Sequence, residues 1–273
     1  MDEPASYSIS EESHALYTQG TALFLGTDGF EQNLVKAAEY FLKAANENHP
    51  GAMYNLGCCF MDGLGVPEDD KQGIHWFEKA AGFGVAEAQK ALAVSYEHGK
   101  GVKVDHAKMI YWLQKAAEQG HAVAQHDLAK MYQAGFGVTR DYSKAAYWYE
   151  QAASQNNPMS QLELARCYEN GLGANQNNKQ AAYWCSISAN QQYAPGEFAL
   201  GVYYEEGIGL GRNLNKAVYW FEKAAQQGYA PAQTKLGSCY QNGHGVDQDE
   251  AKAQYWYELA SSQTDRQDRE VPW

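Results

Sequence analysis

At 273 residues the chain has room for one large domain or two ordinary ones. Its 33 acidic and 21 basic residues give a net charge of -12 and a pI near 5.1, a sign that argues against nucleic acid as a ligand. Every apolar run is broken within a few positions by Gln, Lys, Glu or Gly, short of the roughly 20 residues of a membrane span, so no membrane insertion is expected.

The chain opens with Met1 to Glu12, MDEPASYSISEE, which has neither a basic n-region nor an apolar h-region. The cytoplasm is then the default compartment, and the periplasm if the chain is a processed mature form. Residues 1-14 read as an N-terminal extension. Residues 15-50 follow as a weak copy of a repeat, with Phe24 as the aromatic of a first helix, Gly29 in the loop, and Tyr40 ahead of Lys43-Ala44-Ala45. Solenoid ends need divergent units of this kind.

From there the period is plain. Trp76, Trp112, Trp148, Trp184, Trp220 and Trp256 fall 36 residues apart, and the glycine pairs from Gly63/Gly65 to Gly243/Gly245 keep step with them. The full units are 51-86, 87-122, 123-158, 159-194, 195-230 and 231-266. In the third of them Ala124, Leu128, Ala129 and Tyr132 mark one face of a first helix. Ala145, Trp148, Tyr149, Ala152 and Ala153 mark a broad stripe on a second. Each unit is predicted to be a helical hairpin, and neighbouring hairpins must stack to bury their Trp, Tyr and Ala faces.

Punctuation supports this reading. Gly63, Gly99, Gly135, Gly171, Gly207 and Gly243 stand where a first helix needs a left-handed closing residue. Asp69, Asp105, Asp141, Asn177, Asn213 and Asp249 stand six positions later, where the second helix needs an N-cap. Gly84, Gly120, Asn156 and Gly228 turn the chain after that helix, but the corresponding residue in 159-194 is Gln192, so an irregular junction is expected there. The five cysteines, Cys58, Cys59, Cys167, Cys185 and Cys239, form no CxxC pair and read as core thiols. Residues 267-273 form a tail whose Trp273 either docks on the last unit or stays loose.

The run Leu-Gly-x-x-aromatic, Gly-x-Gly-Val and Lys-Ala-x-x-Trp-x-x-Lys-Ala-Ala-x-x-Gly resembles the Sel1-like repeat family. Leu236-Gly237-Ser238-Cys239-Tyr240, Gly243-His244-Gly245-Val246 and Lys216 through Gly228 carry it most clearly. The resemblance covers 15-266. It implies an all-α fold, a right-handed α/α superhelical solenoid of seven helix-turn-helix repeats of 36 residues, related to tetratricopeptide arrays. It also implies an adaptor, assembly factor or inhibitor that grips proteins. A cysteine-rich branch of the family pairs cysteines eight residues apart, a spacing absent here. Some bacterial immunity proteins look like this too.

By similarity to tetratricopeptide arrays, the first helices line a concave groove, and its non-core positions vary from unit to unit. The candidate contacts are Tyr54, Lys90, Glu97, His126, Lys130, Arg166, Glu169, Phe198, Glu205 and Glu206. Variation suits an extended partner, although exposed positions also drift freely. Lys90, Lys130 and Arg166 form either a basic seam or intramolecular ion pairs. Tyr111, Tyr147, Tyr183, Tyr219 and Tyr255 each precede a second-helix tryptophan and read mainly as architecture.

Enzyme chemistry finds no foothold. The Gly-x-Gly pairs lack the rest of a phosphate loop, no H-E-x-x-H occurs, and Glu68-Asp69-Asp70 lacks the alternating ligands of a calcium loop. No cofactor or metal is expected. The expectation is a non-catalytic scaffold, monomeric or weakly self-associating, that holds a protein partner of unidentified kind. The alternative is an immunity or inhibitor protein that covers the active site of a toxin or enzyme.

Overall fold

The computed structural model describes residues 9–267. Among them the chain forms fourteen α-helices and no strand: α1 (Glu11–Leu25), α2 (Leu34–Asn46), α3 (Pro50–Asp62), α4 (Asp70–Gly82), α5 (Ala86–His98), α6 (His106–Glu118), α7 (Ala122–Ala134), α8 (Tyr142–Ser154), α9 (Pro158–Asn170), α10 (Asn178–Asn190), α11 (Ala194–Glu206), α12 (Leu214–Gln226), α13 (Ala230–Asn242) and α14 (Glu250–Gln267). Each odd-numbered helix and the even-numbered one after it make one hairpin, giving an all-α repeat solenoid of seven. The described residues fall into two compact units, and the boundary between Leu128 and Ala129 lies inside α7. Expectations for Trp273 and the last residues of the tail fall outside the described residues.

Capping explains why the helices start and stop where they do. Asp105, Asp141, Asn213 and Asp249 each accept from the backbone N–H three residues on at 3.0 Å, and Asp69 does so at 3.1 Å. Asn177 takes two such donors, Lys179 N at 3.1 Å and Gln180 N at 3.2 Å. The weak first hairpin uses the same device through Asn33, which caps Lys36 N at 3.0 Å. Its loop is one residue longer than the others: the C-cap is Gly26, and Asn33 N reaches back to Leu23 O rather than to Phe24 O. The later loops all span nine residues with that bond, as Asp69 N does to Phe60 O and Asn213 N to Tyr204 O.

The second loop glycine has a separate job. A Cβ at Gly65 would lie 2.1 Å from Leu34 O, at Gly173 1.9 Å from Tyr142 O, and at Gly209 1.9 Å from Asn178 O. Each loop therefore rests its backbone on the opening turn of the preceding hairpin's second helix, a place with no room for a side chain. Small residues also set the spacing within a hairpin. A Cβ at Gly57, Gly201 or Gly237 would fall 2.5 to 2.8 Å from the ring of Phe77, Phe221 or Tyr257, so the absent methyl is the space the aromatic fills. Ala44, Ala80, Ala116, Ala152 and Ala224 are fully buried and bring the helices close.

One expectation fails. The junction at Gln192 is regular: α10 ends and α11 begins in step with the other repeats, and Gln192 takes φ 60°. Its N–H bonds to Ala189 O at 3.0 Å, as Gly84 N does to Ala81 O and Asn156 N to Ala153 O. Packing on both sides dictates the turn, and the local penalty of a left-handed glutamine, about 1–2 kcal/mol, is too small to oppose it. The five thiols are free; Cys59, Cys167, Cys185 and Cys239 are buried and Cys58 half-buried.

Candidate partner-binding face

In the N-terminal unit, α1, α3 and α5 carry two apolar hollows that share one wall residue. The first, about 280 Å³, is lined by Thr21, Phe24, Leu25, Phe41, Asn55 and Cys58. The second, about 270 Å³, is lined by Cys58, Met61, Asp62, Phe77, Ala91, Val94, Ser95, His98 and Lys100. Cys58 sits between them, and burial pushes its thiol up, away from the reactive thiolate. Tyr54, one helical turn before Cys58, leans on Phe77 with ring centroids 5.8 Å apart. Burial and the neighbouring thiol push its hydroxyl up as well.

In the C-terminal unit, α9 and α11 shape a hollow of about 220 Å³ lined by Leu162, Arg166, Glu169, Pro195, Phe198, Ala199, Val202, Tyr203 and Tyr229. Its walls are more polar. Arg166 pairs with Glu163 at 2.8 Å, and Glu169 accepts from the Tyr203 hydroxyl at 2.7 Å. Burial first, and then that carboxylate, raise the Tyr203 hydroxyl far above its ordinary range. Phe198 stands against Phe221 and Tyr229, each 5.6 Å away between ring centroids.

The residues singled out in the sequence are thus placed unevenly. Arg166, Glu169 and Phe198 come together at one hollow. Tyr54 lies beside the pair of hollows in the N-terminal unit and contacts Phe77, which lines one of them. Lys90 is tied to Asp127 of α7 at 2.8 Å, Glu97 lies 3.8 Å from His98, and Glu205 holds Lys235 at 2.7 Å. Lys130 and Glu206 are exposed. His126 is only 6% exposed and is packed rather than presented. For Lys90 and Arg166, intramolecular pairing is what the geometry contains.

Sequence reasoning passed over the α1 contribution of Thr21 and Leu25. The signal was faint because the first loop's extra residue puts α1 one position out of phase with the later repeats. The tyrosines ahead of the tryptophans are half-exposed, from 50% to 56%, and stand edge-on to their neighbours at 4.9 to 5.3 Å. No group of three or more His, Cys, Asp or Glu among the described residues could hold a metal ion. No helix among them is long and apolar enough to cross a membrane.

A run of capped helical hairpins with hollows between its odd-numbered helices defines a helical repeat protein of the kind that presents surfaces to other proteins. The Sel1 repeat pattern matches residues 14–49, 50–82, 86–121, 122–157, 158–193, 194–229 and 230–265, and the chain belongs to the Sel1 repeat family. A protective antigen of uropathogenic Escherichia coli with an SLR fold is 36% identical with a TM-score of 0.86; the match covers 92% of this chain but 54% of that one. The chain therefore spans about half the length of that antigen. A Sel1 repeat protein from Oxalobacter formigenes is 26% identical with a TM-score of 0.80, over 90% of this chain and 96% of that one. An immunity protein from Pseudomonas aeruginosa is 20% identical with a TM-score of 0.43, too distant a likeness to carry an argument.

Proposed function

We propose that the chain is a non-catalytic adaptor that seats a protein partner on the face carried by its odd-numbered helices. The contacts would include Tyr54, Glu97, Lys130, Arg166, Glu169, Phe198, Glu205 and Glu206. The reading rests on the Sel1 repeat fold and above all on one observation: apolar hollows of peptide-side-chain size open between those helices, with Cys58 shared by two of them. Hollows of this kind take aliphatic or aromatic anchors, which supply most of the energy of a protein interface. The hydroxyls and thiols around them are held in their neutral forms, which suits burial under a partner and not acid-base or nucleophilic work.

The test is capture of partners from native extract by the wild-type chain and by two surface variants. Val94 is 37% exposed at the rim of one hollow, so Val94→Glu should abolish capture while leaving helicity unchanged. Tyr219→Ala, on an even-numbered helix, should retain it. Loss with Tyr219→Ala and retention with Val94→Glu would sink the proposal and move the site to the other face. A captured enzyme whose activity the chain abolishes would replace the adaptor reading with that of an inhibitor.

A further inference from the structure

The fourth residue of the odd-numbered helices from α5 onward carries a ladder that ties consecutive hairpins together. Gln89, Gln125, Gln161 and Gln233 occupy this place and are all buried. Each donates its amide to the carbonyl eight residues earlier: Gln89 to Ala81 O at 3.3 Å, Gln125 to Ala117 O at 3.0 Å, Gln161 to Ala153 O and Gln233 to Ala225 O at 3.1 Å. Gln233 Oε1 is buried with no hydrogen-bond partner among the described residues, but at Gln89 and Gln161 the oxygen of the same side chain accepts from a glutamine thirty residues on, Gln119 at 2.7 Å and Gln191 at 2.6 Å. One amide thus acts as donor toward the preceding helix and acceptor toward the following turn.

In α11 the ladder residue is Glu197, which is 2% exposed. It keeps the acceptor half of the pattern, taking Gln227 Nε2 on Oε2 at 2.6 Å. The donor half requires a proton, because an ionised carboxylate has nothing to offer the carbonyl of Ala189, the residue eight positions earlier. The start of α11 lies tight against that end of α10: a Cβ at Gly196 would be 2.4 Å from Ser188 Oγ and 3.1 Å from Ala189 N.

We propose that Glu197 is a proton-binding site that locks the α10–α11–α12 joint when it is occupied, its carboxyl donating to Ala189 O while accepting from Gln227. The groups around it fit this. Burial raises its proton affinity, and the Gln227 amide and the Lys223 ammonium of α12 work in the other direction. From α10 the meeting residues, Ser188 and Ala189, are uncharged. The charged groups of α9, Glu163, Arg166 and Glu169, act on Tyr193 and Tyr203 instead. A carboxyl whose proton affinity is raised by folding contributes stability that is fully present below the ordinary carboxylate range. That stability is lost as pH rises through the raised value. The joint is therefore tighter in mild acid than at neutral pH, and this holds whether or not the face described above binds a partner.

The experiment compares denaturation midpoints of the full chain and of Glu197→Gln from about pH 7.5 down to about pH 4.5, the span that covers a raised carboxyl. Glutamine is what four of the other hairpins carry at this place, so the variant should fold. Its midpoint should exceed the wild type's at neutral pH, and the gain should shrink toward nothing on acidification. A gain that stays constant with pH, or no gain at all, overturns the proposal. Lys223→Met in the wild-type background supplies a second readout. With the opposing ammonium gone, the pH at which the gain disappears should move upward, and an unmoved pH overturns the assignment to this carboxyl.

Discussion

The N-terminal and C-terminal units are assembled from one hairpin and present different chemistry. In the first, the hollows between α1, α3 and α5 are walled by Phe24, Leu25, Cys58, Met61 and Val94. In the second, the hollow between α9 and α11 mixes Phe198 and Val202 with Arg166, Glu169 and two tyrosine hydroxyls. Beneath both, the same caps and the same glycine-to-aromatic contacts recur. The scaffold positions are determined by steric demands that every repeat shares, and the outward positions are not, so a single fold can offer an apolar anchor site and a polar one. On the proposed reading, the two units would recognise different parts of one partner.

If the scaffold is truly common to both, equal insults should produce equal losses. Gly57→Ala and Gly201→Ala each place a methyl within 2.6 and 2.5 Å of a phenylalanine ring. Each should destabilise by about 1–3 kcal/mol through overpacking. Adding Phe221→Leu to Gly201→Ala should restore part of that loss, because the hairpin with Ala93 in this place carries Leu113 where others carry phenylalanine. Tyr149 opposite Ala129 is the exception to the trade. Chemical denaturation of the single and double variants measures this; a Gly57→Ala protein as stable as the wild type would show that the two units are not packed alike.

A smaller effect of opposite sign is expected at the turns. Gly84 and Gln192 hold the same left-handed place with φ 85° and 60°. Gln192→Gly should gain about 1 kcal/mol by removing Cβ strain, and Gly84→Gln should lose a similar amount. Thermal melts of the pair sharpen the comparison. A neutral Gln192→Gly would mean that the glutamine side chain offsets its own strain.

These turns also show what the sequence made legible. Period, capping residues and the left-handed glycines could be read directly, because each follows from a local rule acting at a fixed position. Gln192 misled because local propensity was weighed without the packing on both sides that overrides it. The outward face was harder still. For Lys90 and Arg166 the sequence left a basic seam and intramolecular pairing both open, because their partners Asp127 and Glu163 are fixed only by the fold. His126 looked exposed by phase but is buried. Leu25 lay out of step because one extra residue lengthens the first loop. Glu197 stood in plain view as a Glu among Gln, yet its meaning depends on its burial and on Gln227, which only the fold brings to it.

The finest distinction between the units lies in their ion pairs. Lys90–Asp127 joins α5 to α7 at 2.8 Å with side chains 19% and 27% exposed, and Lys235–Glu205 joins α13 to α11 at 2.7 Å with 36% and 15%. Both are partly solvated, so each should contribute no more than about 1 kcal/mol and be weakened by salt. Lys235→Met should therefore lower the denaturation midpoint slightly at low ionic strength and leave it unchanged near about 1 M salt. Lys90→Met should behave in the same way to a greater degree, because the lysine side chain is the less exposed of the two. A loss that persists at high salt would show that the aliphatic stem, and not the charge, is what each lysine contributes.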